Sequence, residues 1–196
     1  SYESKYFRDI IFPEILTILV PLERNVRTFS TPRWCKYSSG ANHTIGEMAG
    51  LIVIQQFLQC FVKHNYDKYL KNEYNYLYKS LSNIITEQGA YLEHSSNYTI
   101  LVAQFLYLLD LFVSSIGSKK ANFLYDNNYL VKMLNYIKVL SLDGSVPDFG
   151  DNDAANALLP FCINRRDCNH LNSYLNFKFP NNKIKNSLCC KESGHV

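Results

Sequence analysis

Two short segments of this sequence carry the side chains best suited to acid–base chemistry. Asn42 and His43 precede one strongly apolar stretch, and Ser96-Asn97-Tyr98 opens another. His43 and Tyr98 are 55 positions apart, about the length of one helical hairpin. An amide, an imidazole and a phenol are the groups required to remove a carbon-bound proton beside a sugar carboxylate. If the two apolar stretches are parallel helices, these groups lie at one rim.

Such a rim would attract an anion, because helix N-termini carry partial positive charge and unpaired amides. Asn42 can donate a hydrogen bond to a carboxylate, and His43 can donate one or, when charged, form an ion pair. A carboxylate neutralised in this way makes the adjacent C–H more acidic. Tyr98 would act as the base if the positive field lowers its pKa from about 10. It would then return the proton as general acid.

The apolar periodicity predicts five helices before residue 141. The first covers 6–23, with an interruption at Pro13 and an end near Pro21. The others cover 44–64, 66–86, 96–117 and 121–140. The second and fourth are apolar on nearly all sides and should be buried. The third and fifth have one apolar face, and Glu73 is expected on the outer face of the third.

Two helix starts have capping signals. Thr44-Ile45-Gly46-Glu47 matches a capping box, so Glu47 is more simply a capping residue than a substrate contact. Ser95 or Ser96 can cap the helix that carries Tyr98.

The order buried, amphipathic, buried, amphipathic repeats with a period of roughly 50 residues, which indicates a helical repeat. Short connections make neighbouring helices antiparallel, so the two buried helices are parallel, as in an (α/α) toroid. The loop 141–153 should return to the same rim and open a third buried helix near 154–163. The predicted fold is all-α: residues 1–165 form an incomplete toroid, and residues 166–196 form an irregular tail or short strand.

The composition indicates which classes of partner this protein is expected to have. Of the 196 residues, 47% are hydrophobic and 19% are charged, which is typical of a globular protein. The net charge is +3, and no basic block predicts a nucleic-acid partner. Glu47 and Asp110 interrupt the longest apolar stretches, so membrane insertion is not expected. No cofactor motif is present.

The cysteines leave the redox compartment open. Cys60 lies in an apolar helix and is expected to be a buried thiol. Cys162, Cys168 and His170 match no zinc spacing well, so we expect no metal site, although a partial site or a Cys162–Cys168 disulfide remains an alternative.

Each candidate also has a purely structural interpretation. His43 can be an ordinary residue before a helix, and Tyr98 can be one packing residue among 15 tyrosines. Trp34 can be a core anchor rather than a sugar platform. The aspartates of the 141–153 loop can be turn and cap residues. Only the predicted convergence of these groups favours a functional site.

Other functions also fit. A glycoside hydrolase would need two carboxylates across a cleft. Glu93 would pair with Asp148, Asp151 or Asp153. A non-catalytic glycan-binding protein and a uronate epimerase remain open as well.

Three ordered segments resemble the heparinase II/III-like polysaccharide lyases, which include related alginate lyases. They are WCKYSSGANHTIGEMAG at 34–50, GAYLEHSSNY at 89–98 and GSVPDFGDNDAANALLP at 144–160. Members of that family carry Asn-Asn-His before a buried helix, Glu-x-Ser-x-Asn-Tyr-His one hairpin later, and a Gly-Asp-x-Asp loop beyond it. Ala41 and Thr99 depart from this pattern, at the first Asn and the last His.

The resemblance implies a lyase that cleaves acidic, uronate-containing polysaccharide by β-elimination. Asn42 and His43 would neutralise the carboxylate, and Tyr98 would be the acid or the combined acid and base. The substrate-binding residues would be Trp34, Glu93, Asp151 and Asn152. The resemblance also implies a β-sandwich domain beyond residue 196, without which this piece would be incomplete, and a periplasmic or secreted protein.

Overall fold

All regular secondary structure in the described part of the chain is helical. The computed structural model describes residues 2–30, 42–116, 128–151, 157 and 168–179. Within these ranges no strand is present, only two isolated β-bridges, so the all-α prediction is confirmed there. The helices are α1 (Tyr2–Tyr6), α2 (Phe12–Phe29), α3 (Asn42–Gln59), α4 (Asp67–Ile84), α5 (Ser96–Ser115), α6 (Tyr129–Leu140) and α7 (Asn169–Lys178), with a π-helical turn (Phe7–Ile11) between α1 and α2.

The prediction that the first helix ends near Pro21 is wrong, since α2 continues through Pro21 to Phe29. A proline inside a helix removes one amide donor and crowds the carbonyl four residues before it, so contacts elsewhere must stabilise a helix that continues past it. Beyond Pro21, α2 is held to its neighbour by Glu23, whose carboxylate accepts a hydrogen bond from Gln55 Nε2 of α3 at 2.8 Å. This contact joins residues that are far apart in the sequence, so local helix propensity does not predict it.

A buried polar cluster joins α2, α3 and α4. Gln55 Nε2 also lies 3.5 Å from Glu73 Oε1 of α4, and Arg27 Nε donates to Glu23 at 2.8 Å. Glu73 is 0% exposed, so its predicted place on the outer face of α4 is wrong. The side chain points inward because a donor on α3 compensates for the loss of water.

The predicted alternation of buried and one-sided helices is confirmed for α3 to α6. Buried residues occur around most of α3 and α5. The inward faces of the one-sided helices are formed by Leu70, Leu77 and Leu81 of α4 and by Leu130, Leu134 and Ile137 of α6. The core between these helices is therefore formed mainly by aliphatic side chains, with α3 and α5 at its centre.

The predicted turn at Gly89 closes the connection from α4 to α5. Ile85 and Tyr91 form an antiparallel bridge across it, and the amide of Thr86 donates to the carbonyl of Ala90 at 3.0 Å. Gly89 has a positive φ of 91°, and a Cβ there would lie 2.1 Å from the carbonyl oxygen of Lys132 in α6. Only glycine fits this approach.

The prediction of an irregular tail is wrong for residues 169–178, which form α7. Leu171 and Leu175 are buried in the common core, and Tyr174 donates to the buried Asp110 carboxylate of α5. Lys178 forms an ion pair with the same carboxylate. Asparagine and serine give this segment low intrinsic helix propensity, so packing on α5 stabilises it instead.

By length and composition alone, α5 is apolar enough to cross a membrane, and 56% of that stretch is buried in the bundle. A core helix has the same properties.

The two described cysteines differ from each other. Cys60 is exposed, contrary to prediction, because α3 ends at Gln59. Cys168 is a buried free thiol.

Candidate functional site

Asn42, His43 and Tyr98 line one cavity of about 330 Å³ between the first turns of α3 and α5. Asn42 is buried, Tyr98 is half-buried and His43 is exposed to solvent. The other described residues that line the cavity are Gly46, Glu47, Leu101 and Phe105. The amide, the imidazole and the phenol predicted from the sequence therefore border the same space.

Helical spacing explains why these side chains meet. Because α3 begins at Asn42, Asn42 and Gly46 are neighbours on one face, and so are His43 and Glu47. Thr44 thus lies inside the first turn and is not its N-cap, so the predicted capping box is wrong. Glu47 is instead the one carboxylate among the described cavity-lining residues.

The helices α3 and α5 are parallel and in close contact. Their first turns border the cavity, while Ile54 and Phe112, in their later turns, line a second cavity together. Gly46 allows the approach, because a Cβ there would lie 2.9 Å from the ring of Phe105. The missing side chain of Gly46 brings the two helices together directly below the polar rim.

Ser95 is the N-cap of α5, as predicted. Its Oγ accepts the amide hydrogen of Tyr98 at 3.1 Å and donates to the carbonyl of Asp151 at 2.5 Å. The cap fixes the first turn of α5 and thus the backbone that carries Tyr98. It also ties the predicted loop at 141–153 to this helix end.

Phe149 makes a second connection between that loop and α5. The amide of Ser96 donates to the Phe149 carbonyl at 3.0 Å, and Ser96 Oγ accepts the Phe149 amide hydrogen at 3.2 Å. These contacts occupy first-turn amides that the sequence suggested for an anion. The side chains of Asn42 and His43, which line the cavity, can donate hydrogen bonds to a carboxylate.

Tyr91 is a site-adjacent residue that the sequence did not reveal. It is 1% exposed, and its hydroxyl hydrogen-bonds the Glu93 carboxylate and the backbone of Asn42. Burial, followed by the charge of Glu93, raises the pKa of Tyr91, so the phenol stays protonated and donates to Glu93. This places a buried hydroxyl directly behind the first residue of α3. The sequence contains 15 tyrosines, and no local pattern distinguishes Tyr91 as the one that makes this contact.

The predicted substrate-binding residues lie in different places relative to the cavity. Glu93 contacts Tyr91 and is not among the described residues that line the cavity. Asp151 is exposed, and its backbone carbonyl accepts a hydrogen bond from Ser95 Oγ; it too is absent from the described residues that line the cavity. Trp34 and Asn152 lie outside the described residues, as do Asp153 and Cys162.

The predicted third buried helix near 154–163 also lies outside the described residues, except for Ala157. The amide of Ala157, in a turn, donates to Gln104 Oε1 of α5 at 2.9 Å. Among the residues that the structure describes, no group of three His, Cys, Asp or Glu side chains could hold a metal ion.

Comparisons with protein-family models, with curated proteins and with solved structures find no match for this chain.

Proposed function

We propose that this chain is the helical part of a polysaccharide lyase that cleaves uronate-containing glycans by β-elimination. The observation that supports the proposal is the single cavity bordered by Asn42, His43 and Tyr98. An amide donor and an imidazole can bind a carboxylate, and a phenol can transfer a proton.

In the proposed reaction, Asn42 Nδ2 and the His43 ring bind the uronate carboxylate and withdraw charge from it. Tyr98, as phenolate, removes the proton from the carbon beside that carboxylate. The electron pair of the broken C–H bond forms a carbon–carbon double bond as the bond to the glycosidic oxygen breaks. Tyr98 then gives the proton to the departing oxygen, so the enzyme returns to its starting state without a cofactor.

Two features would keep these groups in position. The Ser95 cap and the Ser96–Phe149 hydrogen bonds hold the first turn of α5, which carries Tyr98. Tyr91 holds the backbone of Asn42 at the start of α3. Preorganisation of this kind lowers the cost of reaching the transition state.

The proposal includes a fold, which is argued from the order of the helices. Parallel buried helices, each followed by a one-sided helix, are the repeating unit of an (α/α) toroid. We include in the proposal that α3–α6 are two such hairpins, that a β-sandwich follows, and that the protein acts outside the cytoplasm on an acidic polysaccharide.

The test is turnover by the protein expressed from its complete reading frame. Heparan-type, chondroitin-type and alginate-type polymers are offered, and the unsaturated product is followed by ultraviolet absorbance. Tyr98→Phe should abolish this product while the circular dichroism spectrum stays unchanged. Tyr78→Phe, on the outer helix α4, is the matched control and should keep full turnover.

Other outcomes would identify the alternatives. New saturated reducing ends without ultraviolet absorbance would indicate a glycoside hydrolase. Binding without turnover on any polymer, unaffected by Tyr98→Phe, would indicate a glycan-binding protein. Either result would overturn the lyase proposal.

A further inference from the structure

The cavity between the first turns of α3 and α5 contains a carboxylate as well as hydrogen-bond donors. Asn42 and His43 supply the donors, and Glu47, which is half-buried, supplies the carboxylate. Among the residues that the structure describes, no lysine or arginine lines this cavity. The space therefore suits one anionic group at the two donors, whereas a second anionic group near Glu47 would meet a like charge.

The spacing of His43 and Glu47 matches the dimensions of one sugar. The two residues are four positions apart on α3, so their side chains are neighbours about 5–6 Å apart on one helix face. This spacing is comparable to the width of a pyranose ring. In a uronate, the 2-hydroxyl is across the ring from the carbon that carries the carboxylate. A uronate whose carboxylate is at Asn42 and His43 can therefore direct its 2-hydroxyl toward Glu47.

The rest of the cavity restricts how far such a ring can move. Its volume of about 330 Å³ is at the lower end of the range for small-molecule sites, which is room for one sugar unit. Leu101 and Phe105 of α5 form an apolar side that can contact the C–H face of the ring. A substituent on the 2-hydroxyl would then remain close to Glu47.

We propose that Glu47 is a specificity-determining residue that selects uronates with an unmodified 2-hydroxyl and rejects those with a 2-sulfate. The inference rests on the proposed function, because that function places the uronate carboxylate at Asn42 and His43. A hydroxyl donates a hydrogen bond to the Glu47 carboxylate, whereas a sulfate ester has no donor and carries a negative charge. Two like charges about 6 Å apart at a partly exposed site repel each other enough to weaken binding by about 10-fold.

The experiment compares polymer pairs that differ in sulfation, with the protein expressed from its complete reading frame. Heparin and 2-O-desulfated heparin form one pair, and sulfated and native alginate form another. The quantity measured is the ratio of kcat/KM on the less sulfated polymer to kcat/KM on its sulfated partner, followed by ultraviolet absorbance. The wild type should show a ratio of ~10 or more.

Glu47→Gln keeps the size of the side chain and an acceptor oxygen but removes the charge, so this ratio should fall by about 10-fold. Glu14→Gln is the matched control. Glu14 is exposed in the first turn of α2, where Phe12 contacts Phe61 just beyond the C-terminal end of α3. It therefore lies at the end of α3 opposite to the cavity, and its substitution should leave the ratio at the wild-type value.

Two results would overturn the inference and leave the lyase function intact. The first is a wild-type ratio in the Glu47→Gln protein, which would mean that Glu47 does not sense the sulfate. The second is an equal loss of turnover on both polymers of a pair, which would mean that Glu47 acts in the reaction and not in selection.

Absence of turnover on every polymer would instead overturn the proposed function. Calorimetric titration of hexasaccharides from the same polymer pairs then tests the inference separately. A ratio of Kd values that favours the less sulfated sugar and falls in Glu47→Gln would support selection by Glu47. An unchanged ratio, or no binding of either sugar, would overturn it.

Discussion

The backbone of Gly150 lies so close to the carbonyl oxygen of His94 that a Cβ on Gly150 would stand 2.1 Å from it. Gly150 also has a positive φ of 73°. The contact presses the 148–151 loop against the start of α5, one residue before the Ser95 cap. The loop and the helix end that carries Tyr98 are thus held as one unit.

Gly150→Ala should destabilise the protein by about 2 kcal/mol or more, because the new Cβ meets backbone and φ is unfavourable for alanine. Urea unfolding measures the effect. Leu142→Ala, in the wider 141–153 loop and 69% exposed, is the control and should change the free energy of unfolding by less than about 0.5 kcal/mol. Equal effects of the two substitutions would contradict the tight packing of Gly150.

Two glycines of α3 should respond in opposite directions to the same substitution. Gly50→Ala should stabilise by about 0.5–1 kcal/mol, because alanine has the higher helix propensity and its Cβ enters open space. Gly46→Ala should destabilise, because the Cβ would lie 2.9 Å from the Phe105 ring and push α5 away. Thermal melts of both variants provide the test, and a Tm gain for Gly46→Ala would contradict the close contact of α3 and α5.

Features set by neighbouring residues were predictable from the sequence. The apolar faces of α4 and α6 follow from three- and four-residue spacing, and the Ser95 cap follows from a hydroxyl before an apolar run. The meeting of Asn42 with Tyr98 followed from the alternation of buried and one-sided helices, because that pattern makes α3 and α5 parallel.

Features set by distant contacts were not predictable. Glu73 is a charged residue at a position where the spacing predicts the outer face, and its contact with Gln55 on another helix is what the local pattern does not contain. The segment that forms α7 has weak propensity and depends on Asp110 of α5. Tyr91 gains its role from Glu93 and the Asn42 backbone. In each case the partner is a group on another helix or across a turn, which local patterns do not encode.

The Gln55 amide is expected to be essential for the α2–α3–α4 cluster. Gln55→Leu keeps the volume but leaves the buried carboxylates of Glu23 and Glu73 without this donor, so it should destabilise by about 2 kcal/mol or more. Gln59→Leu is the control. Gln59 donates to Asp67 at 3.2 Å on the exposed surface, so its loss should cost less than about 0.5 kcal/mol. Chemical denaturation of both variants measures the two free energies of unfolding. A Gln55→Leu protein as stable as the Gln59→Leu protein would mean that the cluster contributes little to stability.

Tyr91 should give the protein a specific sensitivity to alkaline pH. Its folded-state pKa is raised above the usual 10.0 by burial and by Glu93, so above pH 10 the unfolded chain loses a proton that the native state keeps. Unfolding then releases a proton, and stability must fall as pH rises. Below pH 10 both states hold the proton, and the contribution is fully present.

Tyr91→Phe removes this titrating group together with its hydrogen bonds to Glu93 and Asn42. At pH 8 the variant should be less stable than the wild type by about 1–2 kcal/mol, the usual cost of losing a buried hydrogen bond. Between pH 9 and pH 11 that difference should shrink by about 1 kcal/mol, because only the wild type loses the Tyr91 contribution. Urea unfolding at these pH values measures both quantities. Parallel stability curves for the two proteins would mean that Tyr91 titrates alike in the folded and unfolded states, and that its hydroxyl does not hold the first turn of α3.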